Sequence, residues 1–567
     1  MTMKNEIIQG LHEVLDQRLS LETIDTILEK PKYEHMGDIA FPCFELSKIE
    51  RKNPKLLAEE LGEKLKGSVP IIDTVEAVGP YVNIFYNKKL VMERTLSAIQ
   101  FEKEHYGAHN FGKGKTITMD LSSPNIAKPF SMGHLRSTVI GNAIGNVLEK
   151  CGYDVVRINY LGDWGTQFGK LIAAYTLWGN EETVRSNPIQ ELLKLYIYFH
   201  EQAEQDQTLD DLGREWFKKL ENGDAYATEL WEWFREESLK EFQTIYNLLG
   251  VTFDSDKSEA YHHDQTPKVV EQLKEKGLLQ TSQGAQVVPL EAEGLPPALI
   301  KKSDGTTLYT TRDLAAAIDR KNVYNFYQSL YVVGHEQSLH FEQLRAVLSK
   351  MGYDWADQLV HIPFGMMLQD GKKMSTRKGK VVFLQDVLQK AIDVAKQNIE
   401  EKNAALEKKE EVAKQVGVGA VIFHDIKNDR RNDVDFSYEE MLRFDGETAP
   451  YLQYTHARAK SILGKAPEVS KKTNYNVPEQ DWEAVWPLVK HVAMFPEVIK
   501  DAAQEYNPSK LAKYLLKLAQ AFNRFYTKVH ILQEDAYMAT RLELIYAVTV
   551  VLREGLNLLG IEAPEEM

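Results

Sequence analysis

A chain of 567 residues is too long for one hydrophobic core, since single cores stop growing at roughly 250–300 residues, so about three domains are expected. Hydrophobic residues at 43% and charged residues at 27% sit near the soluble average, which excludes disordered, collagen-like and repeat-array chains, and no apolar run approaches the roughly 18 residues of a membrane span. The 83 acidic and 68 basic side chains leave a net charge of −15, a mild argument against a nucleic-acid partner, although a local basic groove can hold RNA on an acidic protein.

The N-terminus, MTMKNEIIQGLHEVLDQRL, lacks the apolar core of a signal peptide and reads as an amphipathic helix. Two cysteines, Cys43 and Cys151, allow one disulfide at most, so the expected compartment is the cytoplasm. Helical patterns at 4–30 and 53–66 precede VEAVGPYVNIFYN, where Val82, Ile84 and Tyr86 alternate as in a half-buried strand. The glycine-rich run GAHNFGKGK (107–115) marks a boundary, which sets residues 1–110 apart as an α+β domain.

The next stretch changes character. TITMDL (116–121) alternates like a strand, SSPNIAKPFSMGH is a long turn, and LRSTVIGNAIGNVLEKCG places Leu135, Val139, Ile140, Ile144, Val147 and Leu148 on one helical face. DVVRINYLG reads as a second strand. Strand, helix and strand of this length form the βαβ unit of a doubly wound parallel sheet. A largely helical insertion is expected at about 170–290, with Trp216, Trp231 and Trp233 on its helices. The sheet pattern resumes at SLYVVGHE (329–336), a helix from Phe341 to Gly352, and a strand QLVHIPFGMML (358–368). Residues 111–436 are thus an α/β domain. From 437 to 567 the pattern is helical (Tyr438–Leu463, Asp481–Tyr506, Pro508–Leu532, Asp535–Leu559), a C-terminal all-α bundle.

Two short motifs carry chemistry. The turn Ser131-Met132-Gly133-His134 opens a helix after a strand, where free N–H groups face a ligand at the carboxyl edge of the sheet. Gly133 lets backbone approach a ligand closely, and His134 can donate to a phosphoryl oxygen. Far downstream lies Lys373-Met374-Ser375-Thr376-Arg377-Lys378-Gly379, on its own no more than a basic loop. The first resembles the His-x-Gly-His motif and the second the Lys-Met-Ser-Lys-Ser loop of class I aminoacyl-tRNA synthetases. Ser131 and Thr376 depart from those patterns, one histidine and one lysine short.

Longer stretches select one family. Ser122-Ser123-Pro124-Asn125-Ile126-Ala127-Lys128-Pro129 with Gly133-His134-Leu135-Arg136-Ser137-Thr138, Leu161-Gly162-Asp163-Trp164-Gly165, Tyr309-Thr310-Thr311-Arg312-Asp313 and the run Ala449–Arg458 resemble the arginyl-tRNA synthetases over nearly the whole chain. The resemblance implies a class I Rossmann-like catalytic domain and a helical anticodon-binding bundle. It implies ATP with Mg²⁺, L-arginine and tRNA(Arg) as partners, no resident metal, no membrane contact and a monomeric state. Catalytic groups would be His134, Lys373, Lys128 and Ser131, with Lys128 compensating for the incomplete loop. ATP would meet Gly133, His134, His335, Met366, Met367, Lys373 and Ser375. A guanidinium has five donors and no acceptor, so its pocket needs carboxylates and other acceptors. By resemblance Asp120 and Asn125 hold the substrate's backbone end, while Tyr309, Asp313 and Gln337 line its side-chain pocket. Tyr451, Tyr454, Arg458, Tyr526 and Met567 would meet the anticodon region, and Asn83 and Tyr86 the D-loop. The Cys and His content is too sparse for a zinc site.

Overall fold

The computed structural model describes residues 2–303, 307–369, 371–373, 382–441, 443, 445–467 and 475–567. The first domain has a three-stranded antiparallel sheet, with Tyr81–Tyr86 central between Ile39–Pro42 and Ile72–Val78. The helix expected over 4–30 is two helices, Met3–Val14 and Leu21–Ile27. Asp16 and Gln17 between them take positive φ, and Ser20 restarts the helix by accepting from the Thr23 N–H.

The catalytic core is a four-stranded parallel sheet in the order Leu359–Phe364, Gln328–Gly334, Thr116–Asp120, Asp154–Ile158. Thr116–Asp120 is central. The chain leaves it through the helix Met132–Lys150 to Asp154–Ile158 on one side, and returns later through the helix Tyr309–Tyr324 to Gln328–Gly334 on the other. Connections departing in opposite directions open a crevice at the carboxyl ends of these two strands, the standard ligand position in doubly wound sheets.

Between the halves, helices run from Thr166–Trp178 to Ala225–Leu249, followed by a small antiparallel sheet (Gln280–Ser282, Ala285–Val288, Ala298–Lys301) that the sequence pattern does not anticipate. Asp163 pins this insertion to the core. Its buried carboxylate accepts from Arg235 Nε at 3.0 Å and from the Ala260 N–H at 2.9 Å. The strand expected over 358–368 breaks at Gly365, where any side chain would collide with the Asn432 backbone. Met367–Gln369 then pairs with Lys372–Lys373 and Val434–Asp435 in a second small sheet. Arg136, from the helix Met132–Lys150, is buried at this junction. It donates to Asp425 and to the carbonyls of Gly365 and Asn432, so one guanidinium ties the helix to the strand break.

Two helices, Leu384–Lys402 and Lys409–Ile426, lead to the bundle. The element expected over 438–463 is two pieces, Tyr438–Met441 and Ala449–Lys465, because Thr448 caps a fresh start with Pro450 in its first turn. Trp482–Gln504, Ser509–Lys528 and Met538–Leu558 complete the bundle. Pro496 has no N–H for the Val492 carbonyl, and the Tyr106 hydroxyl donates to that carbonyl instead, tying the linker to the bundle. Gln453 and His456 hold the C-terminal segment by hydrogen bonds to the Glu562 and Pro564 carbonyls. No helix among the described residues is long and apolar enough to cross a membrane.

Candidate active site

The loop after Thr116–Asp120 builds the site under strain. Ser122, Ser123 and Ala127 all take positive φ, a cost of order 1–3 kcal/mol each that persists only where surroundings enforce it. The enforcement is visible. The Ser122 N–H donates to Ser137 Oγ at 2.9 Å, the Ser123 N–H to Asn159 Oδ1 at 3.2 Å, and the Ala127 N–H to Ser238 Oγ at 2.8 Å. Ser137 in turn donates to the Val332 carbonyl, so the helix, the loop and a sheet strand are locked together. Gly162 is required beside Asn125, because a methyl group there would strike the Asn125 amide.

A cavity of about 460 Å³ sits at the crevice between the two strand ends. Asp120, Asn125, Tyr309, Asp313, Gln337 and His134, separated by up to 217 positions (337 − 120), all line it. The sequence does not single out several further lining residues, among them Glu259, Tyr160, Arg320 and His340. Nothing in the sequence marks them, since each reaches the cavity through tertiary packing rather than through a motif.

Four carboxylates, Asp120, Glu259, Asp313 and Glu336, line the cavity. Each Asp120 oxygen accepts one hydrogen bond, from Ser123 Oγ and from Arg320 Nη2, both at 2.7 Å. Burial pushes the Asp120 carboxyl up, and the Arg320 guanidinium pulls it back. Arg320 lies over the rings of Tyr160 and Tyr331, at 5.1 and 5.3 Å. Asp313 pairs with neither neighbouring arginine; its Oδ2 accepts from His340 Nε2 at 2.6 Å. Glu259 lies 3.6 Å from Arg312 and its carboxyl is pushed up to about 7, first by burial, with Asp313 and Asp163 adding and Arg312 opposing.

At the turn Ser131–His134, the Ser131 N–H donates to His134 Nδ1 at 3.2 Å. That fixes the tautomer with hydrogen on Nε2. Burial, assisted by the Lys128 charge, lowers the His134 pKa to about 4, so the ring is a neutral donor at pH 7. Ser131 therefore orients His134. Space opens above Gly133, where an added methyl would meet only Ser131 Oγ at 3.6 Å. Lys128 Nζ is 3.4 Å from Gln167 Oε1 and 5.2 Å from the Tyr196 ring, both on the insertion. Ser375 and the side chain of Lys373 lie outside the described residues.

Met366, expected to meet ATP, donates its N–H to Asp433 at 2.6 Å and accepts at its carbonyl from the Val434 N–H at 2.9 Å, so its N–H is committed within the protein. Met367 is buried in the small sheet. His335 is half exposed at the strand end, with Nδ1 3.2 Å from the Phe364 carbonyl.

In the bundle, Tyr454 and Tyr526 are 43% and 42% exposed, and the Arg458 guanidinium lies over both rings at 4.7 and 5.3 Å. The two rings and the cation form one accessible stacking platform. Tyr451 is half-buried, its hydroxyl accepting from Asn523, and Met567 packs against the helices 384–426 with its carbonyl bound by Asn403. Asn83 and Tyr86 are corrections. At 2% and 7% exposure they are interior, Asn83 inside the sheet and Tyr86 against Trp486 of the bundle, so neither is presented to RNA.

Among the described residues no group of three His, Cys, Asp or Glu is placed to hold a metal ion. Residues 95–438 match the family described as tRNA synthetases class I (R), catalytic domain. Residues 1–86 match the arginyl tRNA synthetase N terminal domain, and 452–567 the DALR anticodon binding domain. The chain is 55% identical to arginine–tRNA ligase 1 of Bacillus cereus over 567 residues, covering 100% of both chains. It is also 55% identical to the arginine–tRNA ligase of Enterococcus faecalis over 570 residues, again at 100% of both. The solved Thermus thermophilus arginyl-tRNA synthetase superposes with a TM-score of 0.82 at 25% identity, over 100% of each chain.

Proposed function

The chain belongs to the arginyl-tRNA synthetase family, and we propose that the cavity at the strand switch is where it activates arginine. The activity is that of an arginine–tRNA ligase: ATP-dependent attachment of arginine to tRNA(Arg). The observation that carries the site reading is the gathering of Asp313, Glu259, Tyr309 and Gln337 around one cavity next to the phosphate turn.

In the first step the arginine carboxylate attacks the α-phosphate of ATP, giving arginyl-adenylate and pyrophosphate. In the second, the terminal ribose hydroxyl of the tRNA displaces AMP. No protein nucleophile is needed, so positioning and charge stabilisation supply the catalysis. Asp313 and Glu259 receive the guanidinium. Asn125 and Asp120 hold the α-amino end, with Asp120 fixed by Arg320. His134 donates through Nε2 to a phosphate oxygen, and Lys373 with Lys128 balances the leaving pyrophosphate. Mg²⁺ arrives with ATP, held by its phosphates and water. Two buried free thiols fit a reducing compartment such as the cytoplasm.

Charging of mixed tRNA with each amino acid in turn tests this reading. Arginine alone should give aminoacyl-tRNA, and charging with another amino acid, or none with arginine, would overturn it.

The Glu259 carboxyl gives a pH dependence. Raised to about 7, it is neutral below that pH and charged above it. A neutral Glu259 offers the guanidinium one charge fewer, so arginine binds worse as pH falls through 7. The arginine KM should rise about tenfold from pH 8 to pH 6, and Glu259→Gln should flatten the profile. A flat wild-type profile would remove Glu259 from the pocket.

We also read the Tyr454–Arg458–Tyr526 platform as a site for unpaired anticodon-loop bases. Tyr454→Ala should weaken tRNA binding by about 1 kcal/mol, roughly fivefold, the low end for a base stack because Arg458 and Tyr526 remain. Unchanged tRNA affinity with a lower melting temperature would make Tyr454 a packing residue.

A further inference from the structure

We propose that His340 is a positioning residue that holds Asp313 in the orientation that receives the arginine guanidinium, an inference that rests on the cavity reading above and deepens it. The two residues sit on different elements. Asp313 lies in the first turns of the helix Tyr309–Tyr324, and His340 in the first turn of Ser338–Lys350, which follows the strand Gln328–Gly334 after the short turn His335–Gln337. Both side chains line the cavity.

The contact between them is short and sheltered. His340 Nε2 is 2.6 Å from Asp313 Oδ2, with the histidine side chain 8% exposed and the aspartate 21%. An ionised carboxylate carries no hydrogen, so the imidazole N–H is the donor, and the bond is of the charge-assisted kind. It ties one carboxylate oxygen from behind. A guanidinium is a planar fork, and it is bound well only by acceptors held in a matching plane. Asp313 on a bare helix face would be free to turn about two side-chain torsions; tied at Oδ2, it keeps Oδ1 available to the cavity.

What fixes the histidine supports this role over plain packing. Its ring lies 4.9 Å from the Tyr309 ring and 5.2 Å from the Phe341 ring. Its Nδ1 is buried and has no hydrogen-bond partner among the described residues. A ring kept there for its shape alone would be better as an apolar one, because an unpaired buried nitrogen is costly. The Asp313 bond is the interaction that accounts for a histidine at this place. Tyr309, itself on the cavity wall, packs at a tilt against the same imidazole, so Tyr309, Asp313 and His340 are in contact as one group.

The test uses the full-length enzyme in tRNA aminoacylation, with arginine and ATP varied separately. His340→Phe keeps the ring packing and removes the donor. It should raise the arginine KM about tenfold, the loss of one charge-assisted bond, with kcat and the ATP KM within about twofold. His340→Gln restores an N–H donor and should recover most of that loss. Combined with Asp313→Asn, His340→Phe should add little, since it acts through the carboxylate already removed. Additive losses in the double variant, or an equal fall in kcat and in both substrate affinities, would make His340 a structural residue and overturn the proposal. If Asp313→Asn raises the arginine KM while His340→Phe leaves it unchanged, only the positioning role fails. If neither variant changes it, the cavity reading fails as well.

Discussion

Lys128→Ala is expected to slow arginyl-adenylate formation by about 10²–10³, the scale for losing one preorganised group that stabilises charge as it develops. The run 373–379 has Thr376 where the Lys-Met-Ser-Lys-Ser pattern has its second lysine, one positive charge fewer to meet the leaving pyrophosphate. Lys128 lies on the loop before the turn, three residues ahead of Ser131. Its charge is felt at the phosphate turn, because it helps to depress the His134 pKa. Gln167 and Tyr196 hold its ammonium from the insertion, which gives that helical segment a part in positioning the charge. Thr376→Lys should restore part of the loss, making the pair strongly non-additive. Activation and transfer measured as separate single-turnover steps, with tRNA present in both, decide the matter. A Lys128→Ala enzyme that activates normally and fails only in transfer would remove the lysine from pyrophosphate stabilisation.

The parts of the fold legible in the sequence are those whose local pattern matches their tertiary role. Thr116–Asp120, Met132–Lys150 and Asp154–Ile158 read directly, because alternation, helical period and the intervening turns agree with a βαβ unit. The order of strands does not read, since nothing local says on which side Gln328–Gly334 will pair. The break at Gly365 was hidden because both flanks are apolar and β-prone. Only the Asn432 backbone, brought in from far along the chain, makes the glycine necessary. The helix break at Asp16 and Gln17 was hidden by the continuing apolar period on either side.

The site divides in the same way. His134, Asp120, Asn125, Tyr309, Asp313 and Gln337 belong to motifs, and the structure brings them to one cavity. Glu259 and His340 carry no motif and become visible only when the insertion and the helix after Gln337 fold against Asp313. Asn83 and Tyr86 mislead for the converse reason. Strand alternation separates two faces but does not say that the bundle covers one of them, and Trp486 and Lys490 meet this domain at Tyr86 and Asp38.

The central claim is that carboxylates in this cavity select arginine, and the arginine KM of Asp313→Asn tests it most directly. The substitution preserves shape and removes a charge, so a charge-assisted bond worth about 1.5–3 kcal/mol becomes a neutral one facing a cation. At about 1.4 kcal/mol per factor of ten, the arginine KM should rise about 10- to 100-fold. The ATP KM should stay within about twofold, because the phosphate turn is built by other elements, and the melting temperature should hold, because Asp313 is partly solvent-exposed. An arginine KM equal to that of the wild type would place the guanidinium elsewhere and contradict the account.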